Sequence, residues 1–278
     1  MMPVNTVNRE SQNYREDLIT VYENNRRQEV REGIIIEEPL SIRIDGVPYS
    51  LVMRSPGDEK AHVAGFCLSE SIIDQAADMR DLSFCMEEGV NVATVSLTPD
   101  RRDQIADILE RRGFISQTSC GICGKEMADD LRQILKPAPA QCRISVEQLL
   151  DCVHLLPEYQ AKALYKKTLS AHAALIFDHS RQPLAFAEDV GRHNALDKAI
   201  GQVVLDNALP SAAMAVMSSR LSYELVQKAA RAQLELLIGI SRPTALAIDL
   251  ARSVNMTLAC TKNQKLMIFC GEDRIFKG

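Results

Sequence analysis

Ala212-Ala213-Met214-Ala215-Val216-Met217, then Ser222 to Ala232, then Leu236-Leu237-Ile238-Gly239-Ile240, are three consecutive runs whose reading decides the fold. The first and third are short, apolar and uncharged, as strands buried on both faces must be. The middle run spaces Leu225, Ala229 and Ala232 by three and four residues, the period of a helix that packs along one side. Working outward, Ala173 to Phe177 and Leu184 to Ala187 read as a strand pair and Asn194 to Leu205 as a helix. Thr244 to Ser253 reads as a helix opened by Pro243, and Met256 to Cys260 and Leu266 to Phe269 as two closing strands. Strands alternating with helices predict an α/β domain with a largely parallel sheet covered on both faces.

The first half has a different rhythm. Ser41-Ile42-Arg43-Ile44 and Tyr49-Ser50-Leu51-Val52-Met53 flank Asp45-Gly46, a strong hairpin signal. A helix is predicted after Ser55-Pro56, with Ala61, Ala64, Gly65, Cys67 and Leu68 facing inward. Strands near 81–86 and 91–97 and a helix near 101–112 complete a small α+β unit. Residues 1–37 are polar with mixed charges and no sustained apolar period, which predicts a mobile or partly ordered extension. Residues 113–124 break every periodic pattern and read as a loop, Glu126 to Leu135 reads as a helix, and Pro137 and Pro139 mark a connector. The expected organisation is therefore an extension over 1–37, a small α+β domain over 38–112, a loop, helix and connector over 113–140, and an α/β domain over 141–278.

Composition narrows the function. With 278 residues, 46% apolar and 25% charged, the chain can bury a large core. Nothing near the N-terminus has the basic-then-apolar pattern of a signal peptide, and no apolar run approaches the roughly 20 residues that span a bilayer. A cytoplasmic protein without a membrane partner is expected. A net charge of -5 argues against broad nucleic-acid binding. Eight cysteines dispersed along so long a chain read mostly as free, buried thiols in a reducing compartment.

Two polar features carry the chemistry. In open α/β sheets ligands bind beyond the carboxyl ends of the strands, so the residues just after each predicted strand matter most. There stand Glu188-Asp189-Val190-Gly191-Arg192-His193, Ser218-Ser219-Arg220, Ser241-Arg242-Pro243-Thr244 and Thr261-Lys262-Asn263-Gln264-Lys265. Three of these segments open helices, where free N–H groups favour an anion, so the rim predicts a phosphate-bearing ligand. The competing structural reading is capping and local pairing, with Ser219 as a helix cap or Glu188 bound to Arg192. His172, at the start of an apolar strand, suits a structural role at least as well as a catalytic one.

The second feature is Ser119-Cys120-Gly121-Ile122-Cys123-Gly124. Cys-x-x-Cys is compatible with half of a zinc site, a redox dithiol, or a nucleophilic thiolate that carries sulfur. The remaining cysteines are isolated, which disfavours zinc, and no metal is expected. The glycine-rich approach suits an exposed carrier arm better than a thioredoxin-type helix start. Lys125 and the following helix N-terminus favour the thiolate, against the opposing charge of Glu126. A non-catalytic chaperone that uses its cysteines only structurally is the alternative.

The chain resembles the FdhD/NarQ family of formate dehydrogenase accessory sulfurtransferases from about residue 38 to its end. Ser55-Pro56-Gly57-Asp58, Ala64-Gly65-Phe66-Cys67-Leu68-Ser69-Glu70, the CxxC segment, His172-Ala173-Ala174, Glu188 to Lys198, Ser218 to Glu224 and Pro243-Thr244 carry the resemblance. It implies a larger domain similar to the cytidine deaminase fold, with a mixed sheet and helices on both faces, plus a smaller N-terminal α+β domain, commonly in a homodimer. It further implies that Cys120 takes persulfide sulfur from a cysteine desulfurase, with Cys123 assisting. The acceptor it implies is the molybdenum or tungsten bis-guanine-dinucleotide cofactor of formate dehydrogenase, for which a guanine nucleotide is a mimic. Thr261, Lys262, Asn263, Gln264 and Lys265 take the cofactor-contacting position, and Arg192, His193, Ser219 and Arg220 add to it. Family members usually carry an aromatic residue where this chain has Thr261, and a glycine where it has Ser71. The zinc signature of the deaminases is absent, which argues against deaminase activity.

Overall fold

The structure, a computed structural model, describes residues 13–106, 135–262 and 265–277. Cys120, Cys123, Asn263 and Gln264 lie outside the described residues, as does the helix predicted from Glu126 except for its last residue, Leu135.

The small unit is a four-stranded sheet. Strands β3 (Glu38–Ile44) and β4 (Val47–Arg54) form the expected hairpin, with Asp45 and Gly46 both at positive φ as a type I′ turn requires. Strands β5 (Met79–Glu87) and β6 (Val90–Leu97) complete the order β4-β3-β6-β5. Helix α1 (Glu59–Ser69) covers one face, and α2 (Pro99–Gln104) follows β6, capped by Thr98. At the end of α1, Ser71 N–H donates to the Leu68 carbonyl and Ile72 N–H to the Cys67 carbonyl, the paired bonds of a Schellman ending. That ending puts Ser71 at φ 64, a left-handed position that favours glycine.

The expectation of a mobile or partly ordered extension over 1–37 is corrected for its described part, which is regular structure. Strands β1 (Tyr14–Glu23) and β2 (Arg26–Ile35) form a ten-pair hairpin of their own. Charged residues on both faces, as in Arg15-Glu16-Asp17 and Arg31-Glu32, hid its strands, because both faces of the hairpin are largely exposed and no apolar alternation was needed.

The large unit is a six-stranded sheet of order β13-β12-β11-β10-β8-β9. Its strands are β8 (His172–Asp178), β9 (Pro183–Asp189), β10 (Ala212–Arg220), β11 (Leu236–Ser241), β12 (Thr257–Lys262) and β13 (Lys265–Cys270). Only β10–β11 and β11–β12 pair parallel, so the sheet is mixed rather than largely parallel. The links between β8 and β9 and between β12 and β13 are too short for a crossover, which compels antiparallel neighbours.

Helices α5 (Arg192–Leu205), α6 (Tyr223–Arg231) and α7 (Ala245–Ser253) cover one face of this sheet. The opposite face is covered by α3 (Val146–Gln160), followed by the short α4 (Leu164–Thr168). Strand β8 feeds both cores by alternation: Ala174 and Ile176 pack under α5, Ala173, Leu175 and Phe177 under α3. Near the C-terminus, β14 (Ile275–Phe276) pairs with β7 (Ile144–Ser145), and buried Glu235 holds Arg274 at 3.2 Å and accepts the N–H groups of Gln141 and Cys142.

The two units are locked by helix α1 against α5. A Cβ on Gly65 would stand 1.8 Å from the Asp197 carbonyl oxygen, and one on Gly201 1.7 Å from that of Ala61, so the backbones touch where they cross. Around this contact lie two buried ion pairs. Lys198 Nζ sits 2.8 Å from Asp189 Oδ2 and donates to the Ser55 carbonyl, while Ser55 N–H donates back to Asp189. Lys228 Nζ lies 2.7 Å from Asp197, whose carboxylate also accepts from Ser69 Oγ.

Candidate functional site

Strand β9 runs antiparallel to β8, and β8 antiparallel to β10, so β9, β10, β11 and β12 all point the same way. Their carboxyl ends, at Asp189, Arg220, Ser241 and Lys262, therefore share one edge of the sheet. His172 and Lys265, which begin the two strands running the other way, lie at that edge too. The polar segments picked out in the sequence thus reach a common rim, where they divide into two groups.

One group walls a cavity of about 490 Å³. Thr261 is buried in its floor, Ser241, Arg242 and Lys262 stand exposed at the ends of β11 and β12, and Met267 of β13 closes one side. The opposite wall is α3, with Leu150, Val153 and His154. The volume is within the usual range for a small-ligand site, and the mixture of apolar wall and cationic mouth suits a planar base carrying phosphate. Lys265 faces Lys262 across the β12–β13 ladder, which adds a third cation near this mouth. The buried thiol of Cys260 also lines the cavity, where burial pushes its pKa up against the opposing pull of Arg242 and Lys262.

The second group sits where α5 and α6 begin and does not line that cavity. His193 Nε2 lies 3.2 Å from both Ser222 Oγ and Glu224 Oε2, and Ser222 Oγ donates to the same carboxylate. The His193 contact holds the Glu224 carboxyl down at about 2. Arg192 is half-buried beside it, with its Nε lacking a hydrogen-bond partner among the described residues. Burial first, and then the charges of Arg192 and His193, push the His172 pKa down. Arg220 is exposed and Ser219 buried. Ser219 donates to the Arg220 carbonyl and caps no helix, while Glu188 accepts from Tyr165 N–H instead of pairing with Arg192.

Several residues of the long motif from Glu188 to Lys198 turn out to join the units. Asp189 accepts from Gly191 N–H and Asn194 Nδ2, and Asn194 also donates to the Met53 carbonyl of β4. Sequence reasoning missed His154 and the helix that presents it. Its signal was readable: Ser145 and Gln148 form a capping box, and Leu149, Cys152, Val153 and Leu156 recur at helical spacing on the buried side.

Among the described cysteines, burial raises the thiol pKa of Cys67, Cys142, Cys152, Cys260 and Cys270, to about 11 for both Cys142 and Cys152. Such thiols stay protonated at neutral pH and are poor nucleophiles. Cys85 is exposed on the edge strand β5. No helix among the described residues is long and apolar enough to cross a membrane.

The sequence model of the FdhD/NarQ family matches residues 35–276. Proteins named sulfur carrier protein FdhD are similar over most of the chain. That of Streptomyces coelicolor is 34% identical over 255 residues, covering 88% of this chain and 89% of its own length. The Mycobacterium tuberculosis protein is 34% identical over 257 residues, covering 88% and 92%. The Anaeromyxobacter dehalogenans protein is 32% identical over 259 residues, covering 88% and 89%. The crystal structure of a putative formate dehydrogenase accessory protein from Desulfotalea psychrophila superposes with a TM-score of 0.74 at 20% identity, covering 95% of this chain and all of that one. At that identity the superposition speaks for the fold alone, while the family match covers both units, the interlocking helices and the cavity: the chain belongs to the FdhD/NarQ family.

Proposed function

We propose that the protein is a cytoplasmic sulfur carrier for formate dehydrogenase maturation, with a persulfide on Cys120 as the carried form. The Cys120 thiolate attacks the terminal sulfur of a persulfide on a cysteine desulfurase. The donor's S–S bond breaks and the donor departs as a thiolate, so sulfur changes hands without net oxidation. Cys123 assists by resolving or relaying the persulfide. The acceptor is the molybdenum or tungsten bis-guanine-dinucleotide cofactor, treated as a substrate and passed on to the formate dehydrogenase catalytic subunit. The protein works as a homodimer.

The observation that carries this reading is the cavity at the carboxyl edge of the sheet, with Arg242 and Lys262 at its mouth. It offers a guanine nucleotide an apolar slot beside cations for its pyrophosphate, with Lys265, Arg192 and Arg220 further along the rim. That burial raises the thiol pKa of five other cysteines supports assigning the nucleophile to the CxxC segment.

Two measurements test it. Incubation with a cysteine desulfurase and cysteine, followed by mass mapping, should place added sulfur on Cys120, and an unlabelled Cys120 would sink the persulfide reading. Titration with guanosine diphosphate should show saturable binding that weakens about tenfold in Lys262→Ala, as loss of one charge-assisted phosphate contact implies. If Cys120→Ala still supports formate dehydrogenase maturation in full, the protein is a cofactor-binding chaperone instead.

A further inference from the structure

Strands β1 and β2 share a sheet with no other strand among the described residues. Their hairpin spans ten facing pairs, about 34 Å at the usual rise per residue. It is rooted on α4, where a Cβ on Gly33 would stand 2.2 Å from the Lys167 carbonyl oxygen. Beyond that root Leu18 is 60% exposed and Tyr22 73%. An isolated two-stranded hairpin is marginal in water, and its open edges present rows of unpaired N–H and C=O groups. The family match starts at residue 35, so this arm lies ahead of it.

We propose that the hairpin is a self-association arm, in which β1 pairs antiparallel with β1 of a second copy to build a four-stranded sheet across a twofold axis. The charge pattern selects the occupant and the register. Residues 14–35 carry four arginines and five acidic side chains, a near balance that suits neither a polyanion nor a polycation. A twofold axis through Ile19 sets Arg15 opposite Glu23 of the second copy, twice by symmetry, with Leu18 opposite Thr20 and Asp17 opposite Val21. An axis through Thr20 would instead set Asp17 against Glu23, and one between Ile19 and Thr20 would set Glu16 against Glu23, both repulsive. An axis through Leu18, or between Leu18 and Ile19, brings no opposite charges face to face. Within β1, Arg15 already contacts Asp17 at 2.9 Å, so Glu23 of the second copy would complete a three-membered charge cluster.

This inference rests on the homodimer proposed above and names its surface. The test uses the full chain carrying Ile19→Cys under mild oxidation, with disulfides mapped by mass spectrometry. Directly opposed positions have Cβ atoms about 4.5–5.5 Å apart, so the introduced thiol is expected to form a disulfide with its own counterpart on the second copy. Glu23→Cys should give no such self-link, because its two copies would stand roughly 27 Å apart along the strands. In sedimentation, Arg15→Glu should weaken the dimer about tenfold, and Arg15→Glu with Glu23→Arg should restore it. A dimer that persists unchanged in Arg15→Glu, together with no self-link in Ile19→Cys, would overturn the arm while leaving the homodimer intact. A protein monomeric at all concentrations would overturn both.

Discussion

Replacing Asp189 by Asn tests whether the seam between the units is held by its buried charges. Asp189 is fully buried and Lys198 is 1% exposed, so neither charge is screened by water. Asp189 takes the Lys198 ammonium at 2.8 Å and accepts from Ser55 N–H, Gly191 N–H and Asn194 Nδ2. A neutral amide in its place would leave the ammonium without a counter-charge, and removing one partner of a buried pair costs about 3–5 kcal/mol. With a urea m-value of about 3 kcal/mol/M for a chain of this size, the midpoint should fall by about 1–1.7 M. Equilibrium unfolding can be followed by far-UV circular dichroism and by tyrosine emission, since the chain has six tyrosines and no tryptophan. Lys198→Met should cost a similar amount, and the double variant should cost at least about 2 kcal/mol less than the two singles summed. Strict additivity would refute the reasoning, because it would mean that the two groups do not sense each other.

Three further outcomes are expected. Ser71→Gly removes a left-handed serine at the end of α1 and should stabilise the protein by about 0.5–1 kcal/mol, a rise in melting temperature of about 1–3 °C by calorimetry. Gly201→Ala drives a methyl group into the Ala61 carbonyl and should destabilise by about 3 kcal/mol or more, read from the urea midpoint. Glu224 is held near 2 by His193, so the stability it contributes is full above about pH 4.5 and is lost as pH falls through 2. Glu224→Gln should flatten the acid limb of the stability curve in that window, modestly because the carboxylate is 58% exposed.

The strands of the large unit were legible because Ala213, Val216, Leu237 and Ile238 are buried and apolar without interruption, a pattern that polar surface helices do not mimic. Strand direction was not, since Ala173 to Phe177 looks the same whichever neighbour it pairs with. Only the brevity of the links around β8–β9 and β12–β13 fixes the mixed sheet. The rim was legible as a line of polar strand ends. Its division was hidden, because the wall that closes the cavity comes from α3, far earlier in the chain than β11 and β12. The segment from Glu188 to His193 read as a ligand segment, yet its Asp189, with Asn194 and Lys198 just beyond it, binds polar groups of the neighbouring unit. A buried charge that serves packing carries the same letter as one that serves a substrate.

The backbone contact of Gly65 with Gly201 removes one way of moving cargo. Where two helices touch without intervening side chains, sliding or pivoting would have to give up close backbone packing, which holds the small and large units as one frame. Any change in the angle between the units would first have to part these two backbones, so the hinge that two-domain proteins often place at such a boundary has no room here.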